Sequence, residues 1–273
     1  MRIFPVIALM ALALASCATA PQNSPSQAAP VAAPTTYKEA LPTLVKSFFA
    51  NGDVAGWVQT TYDSQGRVTL RETYNGTGAL LERSTGSEKG NAWRLTTINM
   101  QSGNLVDYED LVYDAQGHVL SETFLNAKEV PQSASVYQYN KDGQRTEWIA
   151  KTGDSGIQAR TEYLLDPEGH NVKTEVYDGG NNLLDVFEST YDPQGDILST
   201  KGTDSSGNLI EKTLYTWDNG RLVKKESYVP YLRTWDYTYE GTNTEPSAIT
   251  MSVRGNVTEK QVLTYTWITR TKG

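Results

Sequence analysis

Few residues in this chain have side chains that commonly do chemistry. It has one cysteine, Cys17, and two histidines, His118 and His170, among 273 residues. Hydrolysis needs a nucleophile with a base beside it, and a metal site needs several clustered ligands. The chain has no His-x-x-x-His, paired-cysteine, Gly-x-Ser-x-Gly or phosphate-binding glycine motif that would supply either. We therefore expect no enzymatic activity, no metal and no cofactor.

The remaining catalytic candidates are carboxylates that recur a few residues after turn glycines. Glu211 and Glu226 are the pair we would choose as a glycosidase acid and nucleophile, because a hairpin joins their strands. Basic residues stand beside them, and cross-strand ion pairs on a solvated face are the ordinary explanation. Both histidines follow a turn glycine directly, and we expect them to be exposed loop residues.

Six tryptophans are candidates for ligand binding. If several share a concave face they can stack on sugars or hold an acyl chain, and otherwise they are the bulky part of the core. Inward convergence with few charges would favour a carrier, whereas dispersal along a strip would favour an adhesive scaffold. The six are Trp57, Trp93, Trp148, Trp217, Trp235 and Trp267.

The first 16 residues have the pattern of a secretory signal. Arg2 precedes an apolar stretch over 3–14 that is shorter than the roughly 20 residues needed to span a bilayer. The following Leu14-Ala15-Ser16-Cys17 resembles the bacterial lipobox. The resemblance implies cleavage between Ser16 and Cys17 and a lipid on Cys17. The alternative is an ordinary signal peptide that is cut near residues 18–20.

The resemblance to the lipobox also implies a subcellular location. In bacteria of the enteric type, a residue other than aspartate after the lipidated cysteine favours sorting to the outer membrane, and Ala18 stands there. Residues 17–36 are rich in Ala, Pro, Ser and Gln and have no charged side chain. We expect a disordered linker there, because such a segment buries too little surface to offset its ordering entropy. The folded domain is then 37–273.

Composition limits the partners of this domain. The chain has a net charge of −8, which argues against nucleic acid or an anionic lipid surface as the main partner. Its hydrophobic fraction of 38% is below the globular average of roughly 45–50%. The 16 tyrosines suit a pleated surface that is wet on at least one side. We expect a thin, extended core.

Turn signals recur roughly every 11 to 15 residues, once weaker turns near residues 90, 131 and 156 are included. Such spacing leaves strands of about 8 residues and is typical of an antiparallel meander. In Asp-Pro-x-Gly, Asp caps the turn amides, Pro presets φ and Gly accepts the left-handed conformation. The turn glycines are Gly66, Gly78, Gly103, Gly117, Gly143, Gly169, Gly180, Gly195, Gly207 and Gly220.

Several of these turns resemble the YD repeat of the RHS family. The closest stretches are Tyr113-Asp114-Ala115-Gln116-Gly117-His118-Val119, Tyr191-Asp192-Pro193-Gln194-Gly195-Asp196-Ile197 and the run from 204 to 222. The resemblance covers roughly residues 60–240. In RHS proteins such repeats build a β-strip that curls into a shell. This chain has too few repeats to close a shell and no toxin domain after them.

The fold class expected from these patterns is all-β. Mixed apolar and polar faces favour a single-layer antiparallel meander, curled into an open sheet or a half-barrel. Leu41, Leu44, Val45, Phe48 and Phe49 recur at helical spacing, which predicts one short helix over 37–50. The helix would pack on the concave side of the sheet, or would dock a partner.

The function expected from the sequence is that of a membrane-anchored envelope lipoprotein. It would be a non-enzymatic binding or scaffold protein whose partner is another protein or a wall polysaccharide. A lipid or lipoprotein carrier shaped as a half-barrel is the alternative. An immunity-type lipoprotein is a further alternative, suggested only by the resemblance to RHS proteins.

Overall fold

A computed structural model describes residues 36–153 and 156–271, which form strands and turns only. The expected signal peptide, Ser16 and Cys17 lie outside the described residues. The first nine strands are β1 (Thr36–Phe49), β2 (Val54–Tyr62), β3 (Val68–Asn75), β4 (Leu80–Lys89), β5 (Ala92–Asn99), β6 (Leu105–Tyr113), β7 (Val119–Asn126), β8 (Pro131–Tyr139) and β9 (Arg145–Thr152). They are followed by β10 (Gly156–Leu165), β11 (Asn171–Asp178), β12 (Leu183–Tyr191), β13 (Ile197–Asp204), β14 (Leu209–Asp218), β15 (Arg221–Ser227), β16 (Arg233–Thr238), β17 (Ala248–Val253) and β18 (Asn256–Thr271).

The 18 strands form one closed antiparallel barrel. Each strand pairs with its neighbours in sequence, and β1 pairs with β18 from Thr36↔Thr271 to Phe49↔Glu259. The expected open sheet or half-barrel is therefore wrong. An open sheet leaves two rows of unpaired N–H and C=O groups, and closure removes both edges. A barrel of 16–18 strands is also wide enough to enclose an aqueous interior.

The helix expected over 37–50 is wrong, because these residues form β1. A β-bulge explains the misleading spacing: Pro42 pairs with Tyr265 and Leu44 with Thr264, so Thr43 is an extra residue. The extra residue changes the phase of the alternation. Leu41, Leu44 and Phe48 consequently face one side of the strand at intervals of three and four residues, as they would on a helix.

Proline at the bulge removes a backbone donor where the ladder is already interrupted. Only the partner strands reveal that β1 is extended, since its backbone groups bond to β18 on one side and to β2 on the other. β18 follows β1 by more than 200 residues, so no local sequence pattern could show this pairing.

The two ends of the barrel differ. We call the end where β1 begins and β18 finishes the terminal end, and the other the opposite end. At the terminal end, Arg270 donates to the Gln65 carbonyl in the β2–β3 turn, with Nη1 and O 2.7 Å apart. The same guanidinium lies against Gly117 in the β6–β7 turn. Because β18 and β6 are six strands apart around the wall, Arg270 extends across the mouth at this end.

Register partners project from the same side of a sheet, which assigns each side chain to one of two faces. On one face Arg71 on β3 reaches Glu109 on β6, with Nη1 and Oε2 3.6 Å apart. On that face Tyr113 also lies near both Arg67 and Arg270. Contacts between strands so far apart place this face inside the barrel. The strand register assigns the other side chains to this face or to the opposite one, which is the outer wall.

Little of the barrel is dry core. Among the described residues, the buried large apolar side chains are Trp93, Leu95 and Leu125. Small inward side chains such as Thr213 and Ser227 are also buried, with 0% and 3% of their surface exposed. The core is therefore thin and follows the wall.

The Asp-Pro-x-Gly turns have the predicted construction. Gly195 has φ +89°, and Asp192 Oδ1 accepts from the amides of Gln194 and Asp196. Gly195 also faces His170 of the preceding hairpin at the terminal end, and a Cβ there would lie 2.7 Å from His170 Nε2. Gly207, at the opposite end, has φ +83° and no neighbour within 4 Å of an added Cβ. A substitution at Gly207 therefore tests backbone strain alone, whereas one at Gly195 tests backbone strain and crowding together.

Gly207→Ala should lower the free energy of unfolding by roughly 1–2 kcal/mol, the usual cost of a left-handed L-residue. Gly195→Ala should cost more, because His170 must also move. Urea unfolding at matched m-values measures both losses. In a His170→Ala background, the Gly195→Ala cost should fall to that of Gly207→Ala. Equal costs in the wild-type background would contradict the turn-to-turn contact.

Candidate functional site

Aromatic side chains on the inner wall connect successive hairpins. Tyr139 Oη donates to the Val119 carbonyl at 2.9 Å, and Tyr191 Oη donates to the Asn171 carbonyl at 2.9 Å. Trp217 Nε1 donates to the Ile197 carbonyl at 2.7 Å. Each acceptor lies two residues after a turn glycine, next to a bulge that interrupts the strand ladder. The ring therefore packs on the wall while its polar tip bonds a carbonyl in the previous hairpin.

Trp93 makes the same kind of bond across a whole strand. Its Nε1 donates to the Val68 carbonyl on β3 at 2.8 Å, over Gly86 on the intervening β4. A Cβ at Gly86 would lie 2.6 Å from that indole nitrogen. Glycine is needed here because the ring lies directly on the backbone. The Arg67 guanidinium lies 4.1 Å from the indole centroid and covers its other face.

The histidines are not the exposed loop residues that the sequence suggested. His118 Nδ1 is 2.8 Å from Asp114 Oδ2, and its ring stacks on Tyr139 with centroids 4.9 Å apart. His170 repeats the arrangement with Asp166 at 2.9 Å and Tyr191 at 4.7 Å. Burial would raise the pKa of Asp114, but hydrogen bonds from His118 hold it below its ordinary value. Each histidine belongs to its own hairpin and fills a gap between turns.

The six candidate tryptophans do not converge on one cleft. Trp93, Trp148, Trp217 and Trp235 face inward from β5, β9, β14 and β16, which distributes them around the wall. Trp57 is on the outer wall, stacked on Tyr74 with centroids 4.9 Å apart. Trp267 lies near the end of β18 and is exposed.

Glu211 and Glu226 are not a catalytic pair. Glu211 pairs in register with Gly202 and faces inward, where Thr213 Oγ1 donates to its Oε1 at 2.9 Å. Glu226 faces outward and is ion-paired with Lys224 at 2.9 Å. The hairpin brings their strands together but the alternation places the carboxylates on opposite sides of the wall. No reaction centre can contact both.

Glu109 and Glu122 on β6 and β7 are the carboxylates that the fold does bring together. They are diagonal neighbours on the inner wall, and Tyr137 Oη donates to Glu122 at 3.2 Å. Burial, with a further contribution from the charge of Glu122, raises the pKa of Glu109 to about 7, although the charge of Arg71 opposes the rise.

Sequence reasoning missed this pair because neither residue stands out locally. Glu109 lies within Asp107-Tyr108-Glu109-Asp110, where Asp107 and Glu109 face the inner wall and Asp110 faces the outer wall. Glu122 follows the turn glycine Gly117 at the same interval as many other glutamates. Only the β6–β7 register, in which Leu111 pairs with Glu122, shows that they are diagonal neighbours.

The outer wall carries ion pairs distributed around the barrel. Glu72 pairs with Arg83 at 2.7 Å, Arg94 with Asp110 at 2.6 Å, and Lys173 with Glu175 at 2.6 Å. Arg160 contacts both Glu147 and Glu162. These residues lie well within their strands. Charged groups therefore occupy the middle of the outer wall as well as its rims.

Residues 36–153 and 156–271 contain neither a candidate metal site nor a membrane-spanning helix. No group of three or more His, Cys, Asp or Glu side chains there is arranged to hold a metal ion. None of those residues belongs to a helix that could cross a membrane.

Glu109 should make stability depend on pH. Its pKa of about 7 in the folded barrel exceeds the ordinary 4.5, so between these values the folded state holds a proton that the unfolded chain releases. The free energy of unfolding therefore falls as the pH rises through this range. Glu109→Gln removes that loss, and its stability relative to wild type should rise by roughly 1–3 kcal/mol from pH 4.5 to pH 7.5.

Chemical denaturation at a series of pH values measures the difference. Glu175→Gln is a control of opposite sign, because Lys173 and Tyr177 lower the pKa of Glu175 on the outer wall. That variant should lose stability relative to wild type as the pH rises. A Glu109→Gln variant with the wild-type pH slope would show that Glu109 titrates normally.

Comparisons with known proteins show similarity at the level of structure alone. No protein-family model and no curated protein matches the chain. A porin-like protein from Bacteroides uniformis is 10% identical, with a TM-score of 0.43 over 83% of this chain and 97% of its own. A porin-like protein from Bacteroides vulgatus is 10% identical, with a TM-score of 0.39 over 84% and 99%. TcdB2-TccC3 is 13% identical, with a TM-score of 0.24 over 78% of this chain and 17% of that one.

Proposed function

We propose that this protein is a non-enzymatic envelope lipoprotein whose barrel binds a wall polysaccharide or another protein. A lipid on Cys17 holds it to a membrane, by our hypothesis the outer membrane, through a linker that ends where β1 begins. The repeat is of the YD type. The observation that supports binding best is the inner wall, where aromatic rings and charged groups face an enclosed space.

The charged residues of the outer wall support the hypothesis that the barrel lies in water and is attached to the membrane through a lipid. A lipid-facing barrel wall carries an apolar band about 25 Å tall, and Lys or Arg at its midplane costs roughly 2–4 kcal/mol. Here Arg83, Arg94, Arg160, Lys173 and Lys224 project outward within their strands. A bilayer around this wall would have to accommodate all of them, whereas an acyl anchor needs none to be buried.

The inner wall supports recognition of a polar ligand better than storage of an acyl chain. Tyr, Trp and Phe rings alternate there with Arg71, Glu109, Glu122, Arg145 and Lys225. Flat rings stack on sugar faces or on aromatic side chains, while charged and hydroxyl groups bond polar atoms. A carrier for acyl chains would need an inner wall with few charges. The expected half-barrel carrier is not supported, because the barrel is closed.

A pull-down from the native envelope tests the proposal directly. The lipidated wild-type chain is the bait, and bound protein and polysaccharide are both identified. A matched bait with Trp148→Ala and Trp217→Ala removes two inward rings from separate strands, and Trp57→Ala removes an outward ring. Binding through the inner wall predicts that the partner is lost with the first bait and retained with the second. A partner recovered equally by all three would contradict binding inside the barrel.

The anchor predicts a change of cellular fraction. Cys17→Ser should move the protein from the membrane fraction to the soluble fraction and abolish labelling by an alkyne palmitate analogue, since Cys17 is the only cysteine. Cys17→Ser should fold normally, because the barrel contains no disulfide. Absence of label on the wild type would show that the lipobox assignment is wrong.

The absence of catalysis is also testable. Wild-type protein incubated with peptidoglycan and common polysaccharides should release no new reducing ends. Glu109→Gln and Glu122→Gln are the informative variants, since Glu211 and Glu226 are separated by the wall. Turnover by the wild type that disappears in either variant would make the inner wall an active site.

A further inference from the structure

One corner of the barrel has several cations without acidic partners. Lys225, Arg233 and Arg254 lie on or beside the inner wall where β15, β16 and β17 meet the opposite end. None of them forms an ion pair with any residue that the structure describes, whereas Arg67, Arg94, Arg160 and Arg270 all do. Three cations without an ion pair therefore lie close together in a chain whose net charge is −8.

Aromatic rings stand between these cations. Lys225 Nζ is 4.9 Å from the centroid of Trp235 and 5.9 Å from that of Tyr215. Arg233 Cζ is 5.8 Å from the centroids of both Trp235 and Tyr231. Arg254 Cζ is 5.3 Å from Tyr231. We call these six residues the basic-aromatic corner.

The strand register makes this corner a continuous surface. Tyr215 pairs with Lys225 and Lys225 with Trp235, so their side chains form a row across β14, β15 and β16. Two residues further along each strand towards the opposite end, Ser227 pairs with Arg233. Thr213 and Ser227, which pair with each other on the same face, are almost wholly buried. The turn beside them leaves Tyr231 exposed at the mouth.

The charges at this corner are incompletely satisfied within the barrel. Arg233 Nε is buried and has no hydrogen-bond partner, and its Nη2 has only a 3.5 Å contact to Ser227 Oγ among the described residues. Burial lowers the pKa of Lys225, the charge of Arg233 lowers it further, and Glu211 opposes both. One oxygen of Glu211 already accepts from Thr213. A buried donor without an acceptor is costly and is expected where a ligand supplies the acceptor.

We propose that the basic-aromatic corner binds an acidic saccharide, one that carries carboxylate or phosphate groups. The guanidinium of Arg233 and the ammonium of Lys225 bind the anionic group, since a guanidinium offers parallel donors to two anionic oxygens. The Trp235 ring stacks on the sugar face. The ligand enters at the opposite end, because the corner lies there. This inference rests on the proposed binding function and specifies its ligand class.

Binding of a defined acidic oligosaccharide tests the inference. Tetragalacturonate is titrated into the purified full-length protein by calorimetry and tryptophan fluorescence, with maltotetraose as the neutral match. Tetragalacturonate should bind at least tenfold more tightly than maltotetraose, with an affinity that falls as salt rises. Lys225→Met with Arg233→Met should reduce the affinity at least tenfold, whereas Arg233→Lys should retain part of it.

Lys201→Met with Lys260→Met is the matched control, because it removes two outward cations and changes the net charge equally. This control should bind as the wild type does, and circular dichroism should show that all variants fold. Equal losses in the two double variants, or equal affinity for both sugars, would overturn the inference. A native pull-down that recovers a partner while tetragalacturonate fails to bind would overturn the saccharide assignment and leave the binding function standing.

Discussion

The pairing of β1 with β18 is the interaction on which the rest of the structure depends. It joins the first and last strands of the barrel over the whole of β1, from Thr36 to Phe49. Without it the sheet would have two free edges and no inside. With it, every strand is bonded on both sides, and alternate side chains face either an enclosed space or solvent. The bulge at Thr43 lets β1 keep this pairing although Pro42 cannot donate.

Closure of the barrel explains why glutamates in similar stretches of sequence have different surroundings. Glu175 on the outer wall bonds Lys173 and Tyr177 in water, and its pKa is lowered. Glu109 on the inner wall is buried beside Glu122, and its pKa is raised to about 7. The same alternation separates Glu211 from Glu226. The pKa and the partners of each carboxylate therefore depend on whether it faces the inner or the outer wall, and not on its residue type.

The aromatic bonds between hairpins add a second level of order to the wall. Tyr139, Tyr191 and Trp217 each reach the carbonyl that follows the preceding turn, and His118 and His170 fill the spaces between turns. These rings are therefore partly structural. The basic-aromatic corner differs from them, because Arg233 Nε has no acceptor in the described structure and Trp235 is near two cations. That difference is why we assign ligand binding to the corner.

The sequence by itself determined the local features of this protein. The Asp-Pro-x-Gly turns, the strands of about 8 residues and the thin core follow from turn chemistry and composition, which act over a few residues. Tertiary structure alone decided that β1 is a strand, that the barrel closes, and that Glu109 meets Glu122 while Glu211 and Glu226 are kept apart. Each of these depends on the register between strands, and a one-residue shift in register moves a side chain to the other face. Register follows from closing the sheet as a whole, so no local pattern contains it.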